Sequence, residues 1–441
     1  MGREILTTIG LHLYQPPRHA SHHDLSQIQT DPTHIDWTKA ILIESYRPLA
    51  KNGSLSRASF DMYGILRREI HKLDPDTSSL LSSQMKEHGV GDSYLHPILP
   101  DLSATDQQIL IAAGREQFSK KAGRDPQVFW APESALNSEV LNSLALAGYK
   151  GVVCAPEQIV RDDRQRSDNR PTRIRLPHGK SILALPFDRP LSSELAFGQK
   201  KDAKQFARQH VVSATSRIGE DNLLLAWTDG ETFGHHNKDG DKFLEYLLFQ
   251  GLEKDSGCIP VSINTLLSMV KHPGDGSLVE RSAWSCSHGD LVRWHGACSC
   301  CNGDSRWKAP FYTALHVLNG QMTTLIAKAL PEYKKLLIPK LEQALENPGG
   351  EKSSKDLTLL SAKASALAAL TSCGTFFEDP HVSGNINLLF AIQALFHLRE
   401  AGFIKEAETM ENALRATLLQ MPTWTYKGHE GTVIGDFLTL S

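Results

Sequence analysis

The sequence predicts an α/β protein with mostly parallel strands up to about residue 272 and a mostly helical remainder. Three observations carry this. Short apolar runs recur between helical stretches through the first part of the chain. The segment PQVFWAPESALNSEVLNSLALAGYKGVVCAPEQI, residues 126–159, has the strand–loop–helix–strand rhythm of a βαβ unit. Beyond residue 277 helical periodicity persists and strand signals become few.

Taken in order, Glu4 to Gly10 reads as a short buried strand that runs into His12 and the turn-forming Gln15-Pro16-Pro17. Helices are predicted around 38–49 and 63–73, and again over 106–122, where Asp106 sits in the first turn and Gly123 provides a stop. A strand over 127–130, a helix over 138–147 and a strand over 151–155 make up the βαβ unit. Residues 182–186 and 223–227 are two more short apolar strands. CIPVSINTLLSMV, 258–270, supplies a last strand and helix. KHPGDGS, 271–277, reads as a linker, because one proline and two glycines break both helix and strand. Five helices follow, over 309–330, 333–345, 353–372, 384–401 and 405–420. The domains expected are therefore 1–272 and 273–441.

Composition narrows the function. A chain of 441 residues with 40% hydrophobic content can build two or three domains. A net charge of −3 offers no basic field for nucleic acid. No apolar window reaches the length a membrane span needs, so no membrane partner is expected. The opening MGREILTTIGLHLYQPPR has no charged leader before a long apolar core, so no secretory signal is expected. Leu6 stands where a myristoylation motif wants Ser or Thr. Seven cysteines, an odd number in a long chain, point to reduced thiols and a cytoplasmic setting. Oligomeric state is not readable.

In parallel α/β folds functional groups gather at the carboxyl ends of strands. Three stretches fit. IGLHLYQPPR offers His12, Tyr14 and Gln15; VFWAPESAL offers Trp130 and Glu133; LLLAWTDGETFGHH offers Trp227, Asp229, Glu231, His235 and His236. Glu133 and Asp229 are far apart in sequence. A fold that joins them makes the two-carboxylate pair of glycosidic chemistry, with Trp130 and Trp227 available to stack on sugar rings. On residue types alone a plainer reading stands beside this one. Glu133 then caps the following helix, and Asp229 ends a strand as a turn residue.

The three stretches resemble, in order, motifs of glycoside hydrolase family 57, a retaining family active on α-glucans. HLYQPP (12–17) resembles its first motif, FWAPES (129–134) its nucleophile motif and WTDGETFGHH (227–236) its acid/base motif. The resemblance implies a distorted (β/α)7 TIM-like barrel, followed by an α-helical domain that closes over the active site. It implies Glu133 as nucleophile, Asp229 as general acid/base, Glu231 as a substrate-contacting carboxylate and His12 as a first-motif histidine. The substrate implied is an α-glucan or oligosaccharide, with no cofactor. SYLHPILPDL (93–102, containing His96), SAWSCSHGDLVRWHGACSCCNGDSRWKAPF (282–311) and CGTFFEDP (373–380) resemble segments of one subgroup. In that subgroup the domain of unknown function 3536 follows the catalytic region. The chain departs from the family in two places. Tyr14 stands where the first motif has its second histidine. SFDMYG (59–64) lies where a Gly-Gln-x-Glu motif is expected, and it has no glutamate.

Two clusters are weighed separately. Cys286, His288, Cys298, Cys300 and Cys301 are dense enough for zinc. Their C-x-H and C-x-C-C spacing is not a paired C-x-x-C, so packing and substrate contact are expected and no metal. Trp294 and Trp307 are then candidate sugar platforms, or ordinary core aromatics. His235 and His236 either line a sugar subsite or form a polar loop. His19, His22, His23 and His34 read as solvated loop residues. Two rival functions remain: a glycan-binding protein that kept the fold and lost turnover, and a metal-dependent carbohydrate deacetylase. The second needs an Asp with two helix-spaced histidines as metal ligands.

Overall fold

The structure, a computed structural model, describes residues 4–17, 36–163, 169–301, 303–350, 353–378, 380–421, 424–426 and 429–431. The early histidines 19, 22, 23 and 34 and the first three residues lie outside these. The described residues form two compact units. Among those residues one unit is drawn from within 4–15, 36–94 and 114–284, the other from within 16–17, 95–113 and 285–431.

Among its described residues the first unit holds ten strands: β1 (Ile5–Leu13), β2 (Ser59–Met62), β3 (Val128–Phe129), β4 (Gly151–Cys154), β5 (Ile159–Arg161), β6 (Thr172–Arg175), β7 (Ser181–Pro186), β8 (Leu223–Asp229), β9 (Cys258–Pro260) and β10 (Gly274–Leu278). β1 is central to one sheet. It runs parallel to β2 on one side and β8 on the other, and its first residues also pair with β9. The other sheet has the order β3-β4-β7-β6-β10-β5. Residues 89–91 join the two. Gly89 bridges Phe60, Gly91 bridges Phe129, both parallel, and Val90 N–H donates to Phe60 O at 2.8 Å. On the far side Asp188 N–H, just past β7, donates to Leu225 O of β8 at 2.6 Å. The parallel segments therefore run β8, β1, β2, 89–91, β3, β4, β7 and back to β8. That is a distorted seven-stranded barrel.

Strand alternation sorts the residues of this barrel into two sets. Ile9, Leu11 and Leu13 of β1, Phe60 and Met62 of β2, and Leu224 and Ala226 of β8 join one apolar core with the surrounding helices. The intervening residues face the other way. In register they are Gly10 beside Trp227, and His12 between Asp61 and Asp229. A one-residue slip would exchange the two sets and bury the charges among the helices.

Several elements differ from expectation. β1 runs three residues beyond Gly10, so His12 lies within the strand rather than past it. Residues 271–277 are not a linker: Gly274–Leu278 is β10, parallel to β6 and antiparallel to β5. Antiparallel pairing also joins β6 to β7, so the second sheet is mixed. β2 reads too briefly as an apolar run to stand out, since Ser59 and Asp61 interrupt it. The helices Pro75–His88, Arg189–Phe197 and Gly240–Tyr246 are not among those predicted.

The second unit contains five long helices, Lys308–Ala329, Tyr333–Glu346, Lys355–Ala368, Pro380–Glu400 and Ile404–Leu418, close to the five predicted. Lys363 and Asp106 form a buried ion pair at 2.8 Å within it. Lys363 Nζ also donates to Asn319 Oδ1 at 2.7 Å, so the buried ammonium has more than one partner. Among the described residues no helix is long and apolar enough to cross a membrane.

Candidate active site

The site is built around His12. Its Nδ1–H donates to Asp61 Oδ2 at 2.7 Å, and both side chains are buried. Burial alone would lower the histidine pKa. The adjacent Asp61 carboxylate, helped by Asp229 and Glu231, outweighs burial and raises it to about 9. His12 is therefore an imidazolium at neutral pH. Asp61 is itself pushed upward by burial, against the pull of His12. Behind them Arg67 binds Asp92 through two contacts, at 3.2 and 3.4 Å. Burial raises Asp92 to about 7 despite that arginine.

Asp229 is the last residue of β8 and is open to solvent. Protein packed around the carboxyl, together with the charge of Glu231, raises its pKa to about 6, while His12 pulls the other way. The carboxylate is crowded yet reachable, which is the condition a proton donor needs. Glu231 lies deeper. Tyr46 donates a short hydrogen bond to its Oε1, and Gln15 Nε2 donates to the same atom at 3.2 Å. Gln15 also donates to Tyr14 O at 2.8 Å. Burial raises the Glu231 pKa in spite of these donors.

Glu133 follows β3 in a turn at Pro132–Ser134. Its φ is +56°, and Ser134 has φ +49°. Two successive non-glycine residues in the left-handed region are costly, and such strain concentrates at functional sites. Glu133 is partly exposed. Three residues before it, Trp130 stacks on Trp227, two residues before Asp229. Their centroids are 4.9 Å apart and their planes 11° apart. The stack fits because β1 has Gly10 beneath it: a Cβ there would lie 1.9 Å from the Trp227 ring. Trp284 meets Trp130 edge-on at 5.4 Å, and Tyr63 lies edge-on to both His12 and Tyr14.

The structure thus gathers His12, Tyr14, Gln15, Trp130, Trp227, Asp229 and Glu231 in one unit, with Glu133 on the turn after β3. Trp130 and Trp227 are wholly covered, so neither offers a free face to a sugar in this arrangement. His235 binds Glu44 at 2.6 Å and meets Trp37 edge-on. His236 is exposed; burial of part of the ring and the charge of His235 lower its pKa, while Asp229 raises it. His96, Trp294 and Trp307 belong to the other unit and are buried there. His96 Nδ1 lies 2.8 Å from Ser372 Oγ, and Trp307 Nε1–H donates to Glu378 O at 2.9 Å. In these positions all three side chains are packed into the core of that unit. Sequence reading missed Asp61, Tyr63, Tyr46, Arg67, Asp92 and Trp284. Asp61 had a signal: it sits in SFDMYG, the stretch searched for a glutamate.

Parallel strands that end in solvent-reachable carboxylates, around a buried imidazolium, make a barrel that can host two-carboxylate chemistry. Residues 17–272, more than half of the chain, match the sequence profile of Glycosyl hydrolase family 57, and the chain belongs to that family. Solved structures with a similar fold include the exo-type maltose-forming amylase from Pyrococcus sp. ST04. It is 18% identical, at a TM-score of 0.75 over 94% of this chain and 83% of that one. The GH57-type branching enzyme from Pyrococcus horikoshii is 15% identical, at a TM-score of 0.63 over 93% and 94%. The 4-alpha-glucanotransferase from Thermococcus litoralis is 17% identical, at a TM-score of 0.59 over 83% and 60%. No curated protein sequence matches the chain.

Proposed function

We propose that this glycoside hydrolase is a retaining enzyme acting on an α-glucan, by hydrolysis or by transfer to another sugar. The observation that carries the reading is the Trp130–Trp227 stack. Trp130 lies three residues before Glu133 and Trp227 two residues before Asp229, which supports the pairing of the two carboxylates. Glu133 attacks the anomeric carbon as the glycosidic bond breaks, and Asp229 gives its proton to the departing oxygen. Asp229 then takes a proton from water or a sugar hydroxyl, which attacks the glycosyl–Glu133 ester. A carboxyl with a pKa near 6 can serve in both directions at neutral pH. His12, held charged by Asp61, acts as a fixed cation next to Asp229 and Glu231. Glu231, Gln15, Tyr14 and His236 are the remaining candidates for sugar contact.

The finer placement, in the subgroup that carries the domain of unknown function 3536, rests on the stretches at 93–102, 282–311 and 373–380. A reducing, cytoplasmic setting is supported by seven free thiols. The test is covalent trapping with a 2-fluoro-α-glucosyl fluoride, followed by peptide mass spectrometry. Labelled Glu133 is expected. Folded protein that binds maltooligosaccharide but takes no label on any residue would favour the glycan-binding reading.

A further inference from the structure

In the second unit the chain from Ser285 to Cys301 doubles back and brings four ligating atoms together. Cys286 Sγ lies 3.8 Å from Cys298 Sγ and 3.6 Å from Cys300 Sγ. His288 Nδ1 lies 3.4, 3.5 and 3.3 Å from the sulfurs of Cys286, Cys298 and Cys300. All four atoms lie within 4.8 Å of one another. A disulfide needs sulfurs at about 2.05 Å and would leave one thiol and the imidazole over. A tetrahedral zinc ion has bonds of about 2.3 Å to sulfur and about 2.0–2.1 Å to nitrogen. Its edges are then about 3.8 Å between sulfurs and about 3.5 Å between sulfur and nitrogen. The observed spacings match those edges.

The surroundings suit an ion as well. Ser299 Oγ lies 3.0 Å from His288 Nε2, which fixes the ring with Nδ1 toward the sulfurs. Gly289 N–H donates to Cys286 O at 2.9 Å, and Cys301 N–H donates to Cys298 O at 3.0 Å. Each arm is thus a tight turn presenting two ligands. This geometry weighs against the expectation from spacing, because C-x-H facing C-x-C can close a tetrahedron as well as paired C-x-x-C does. Cys301 stands outside the set, and its sulfur accepts from Lys308 Nζ at 3.5 Å.

We propose that Cys286, His288, Cys298 and Cys300 bind one zinc ion. Four protein ligands leave no open position, so the site is structural. On binding, the three thiols release their protons to solvent and the neutral imidazole binds through Nδ1. The ion would brace the segment between the two arms, whose short helix Val292–His295 carries Arg293 and His295. Arg293 lies over the Phe376 ring at 4.0 Å, and His295 Nε2 lies 2.7 Å from Asp101 Oδ2.

The test is elemental analysis of the full chain purified without added metal. One zinc per chain is expected, lost in Cys300→Ser and in His288→Ala and kept in Cys301→Ser. Ser299→Ala should weaken zinc affinity by roughly tenfold. If the ligand variants fail to fold, cobalt exchange into the wild-type chain decides. Tetrahedral thiolate–cobalt bands are expected. Wild-type protein that stays metal-free after incubation with zinc, or shows no such bands with cobalt, would overturn the proposal. So would loss of the ion from Cys301→Ser to the same degree as from Cys300→Ser.

Discussion

His12 and Asp229 are register partners on neighbouring parallel strands, β1 and β8. The same register puts Asp61 on His12's other side. A cation is thereby fixed between two carboxylates by backbone pairing, with no loop involved. Sites supported by sheet register hold their geometry more tightly than sites on loops.

The first prediction concerns that cation. His12 titrates at about 9 in the folded protein against 6.5 for a free histidine. Its contribution to stability is full below about pH 6.5 and is lost as pH rises through about 9. Stability of the wild type against thermal unfolding should therefore fall as pH rises across that window, with a slope of up to about 1.4 kcal/mol per pH unit. Asp61→Asn removes the carboxylate that holds the proton, so His12 should become neutral near pH 7 and the slope should vanish. An unchanged slope in Asp61→Asn would mean that another group is responsible.

Gly10→Ala is the second. The added carbon would lie 1.9 Å from the Trp227 ring, which is fully buried and stacked on Trp130. A rigid ring packed on both faces cannot yield cheaply. Chemical denaturation should show a loss of about 3 kcal/mol or more. A near-neutral result would mean that the tryptophan stack is loose.

The third isolates backbone strain at Glu133. Glu133→Ala and Glu133→Gly both remove the carboxylate, and with it all the side chain's contacts. They differ in tolerance of φ +56°. Glycine adopts that conformation without a Cβ clash, so Glu133→Gly should be the more stable of the two by about 1 kcal/mol. Both should be inactive. Equal stability would remove strain from the account of this turn.

The elements that were legible in the sequence are those with a strong local pattern. β8 and the βαβ unit around 126–159 announced themselves through apolar runs, and the five late helices through their period. Glu133 and Asp229 stood out because each follows such a run. β2 was missed because Ser59 and Asp61 break its apolar character. They do so because Ser59 Oγ accepts from the Ile263 N–H at 2.8 Å and Asp61 binds His12. The residues that make β2 useful hid it. The aromatic covering of Trp130 by Trp227 was also out of reach, since it depends on a glycine in a third strand. The arms of the cysteine cluster were legible one at a time. Their facing arrangement was not, because spacing carries no information about how two turns meet.

The last prediction separates the two carboxylate roles. Glu133→Gln keeps the shape and removes the nucleophile, so turnover should be abolished with every substrate. Asp229→Ala removes the proton donor. Natural glucans need that proton and should slow by roughly 10²–10⁴-fold. A glycosyl fluoride needs little protonation, so its first step should be partly spared and a covalent adduct should accumulate. The wild type supplies an independent check in its pH profile. Asp229 donates only while protonated, and its pKa is about 6. Single-turnover glycosylation by a natural glucan should therefore fall as pH rises through that value, and glycosylation by the fluoride should not. Azide should rescue Asp229→Ala and give a product of retained configuration, because it needs no general base to attack the ester. Rescue of Glu133→Ala in its place, with Asp229→Ala left dead, would exchange the two roles. Full activity in both variants would mean that the strand ends of β3 and β8 are structural and that the chemistry lies elsewhere on the barrel.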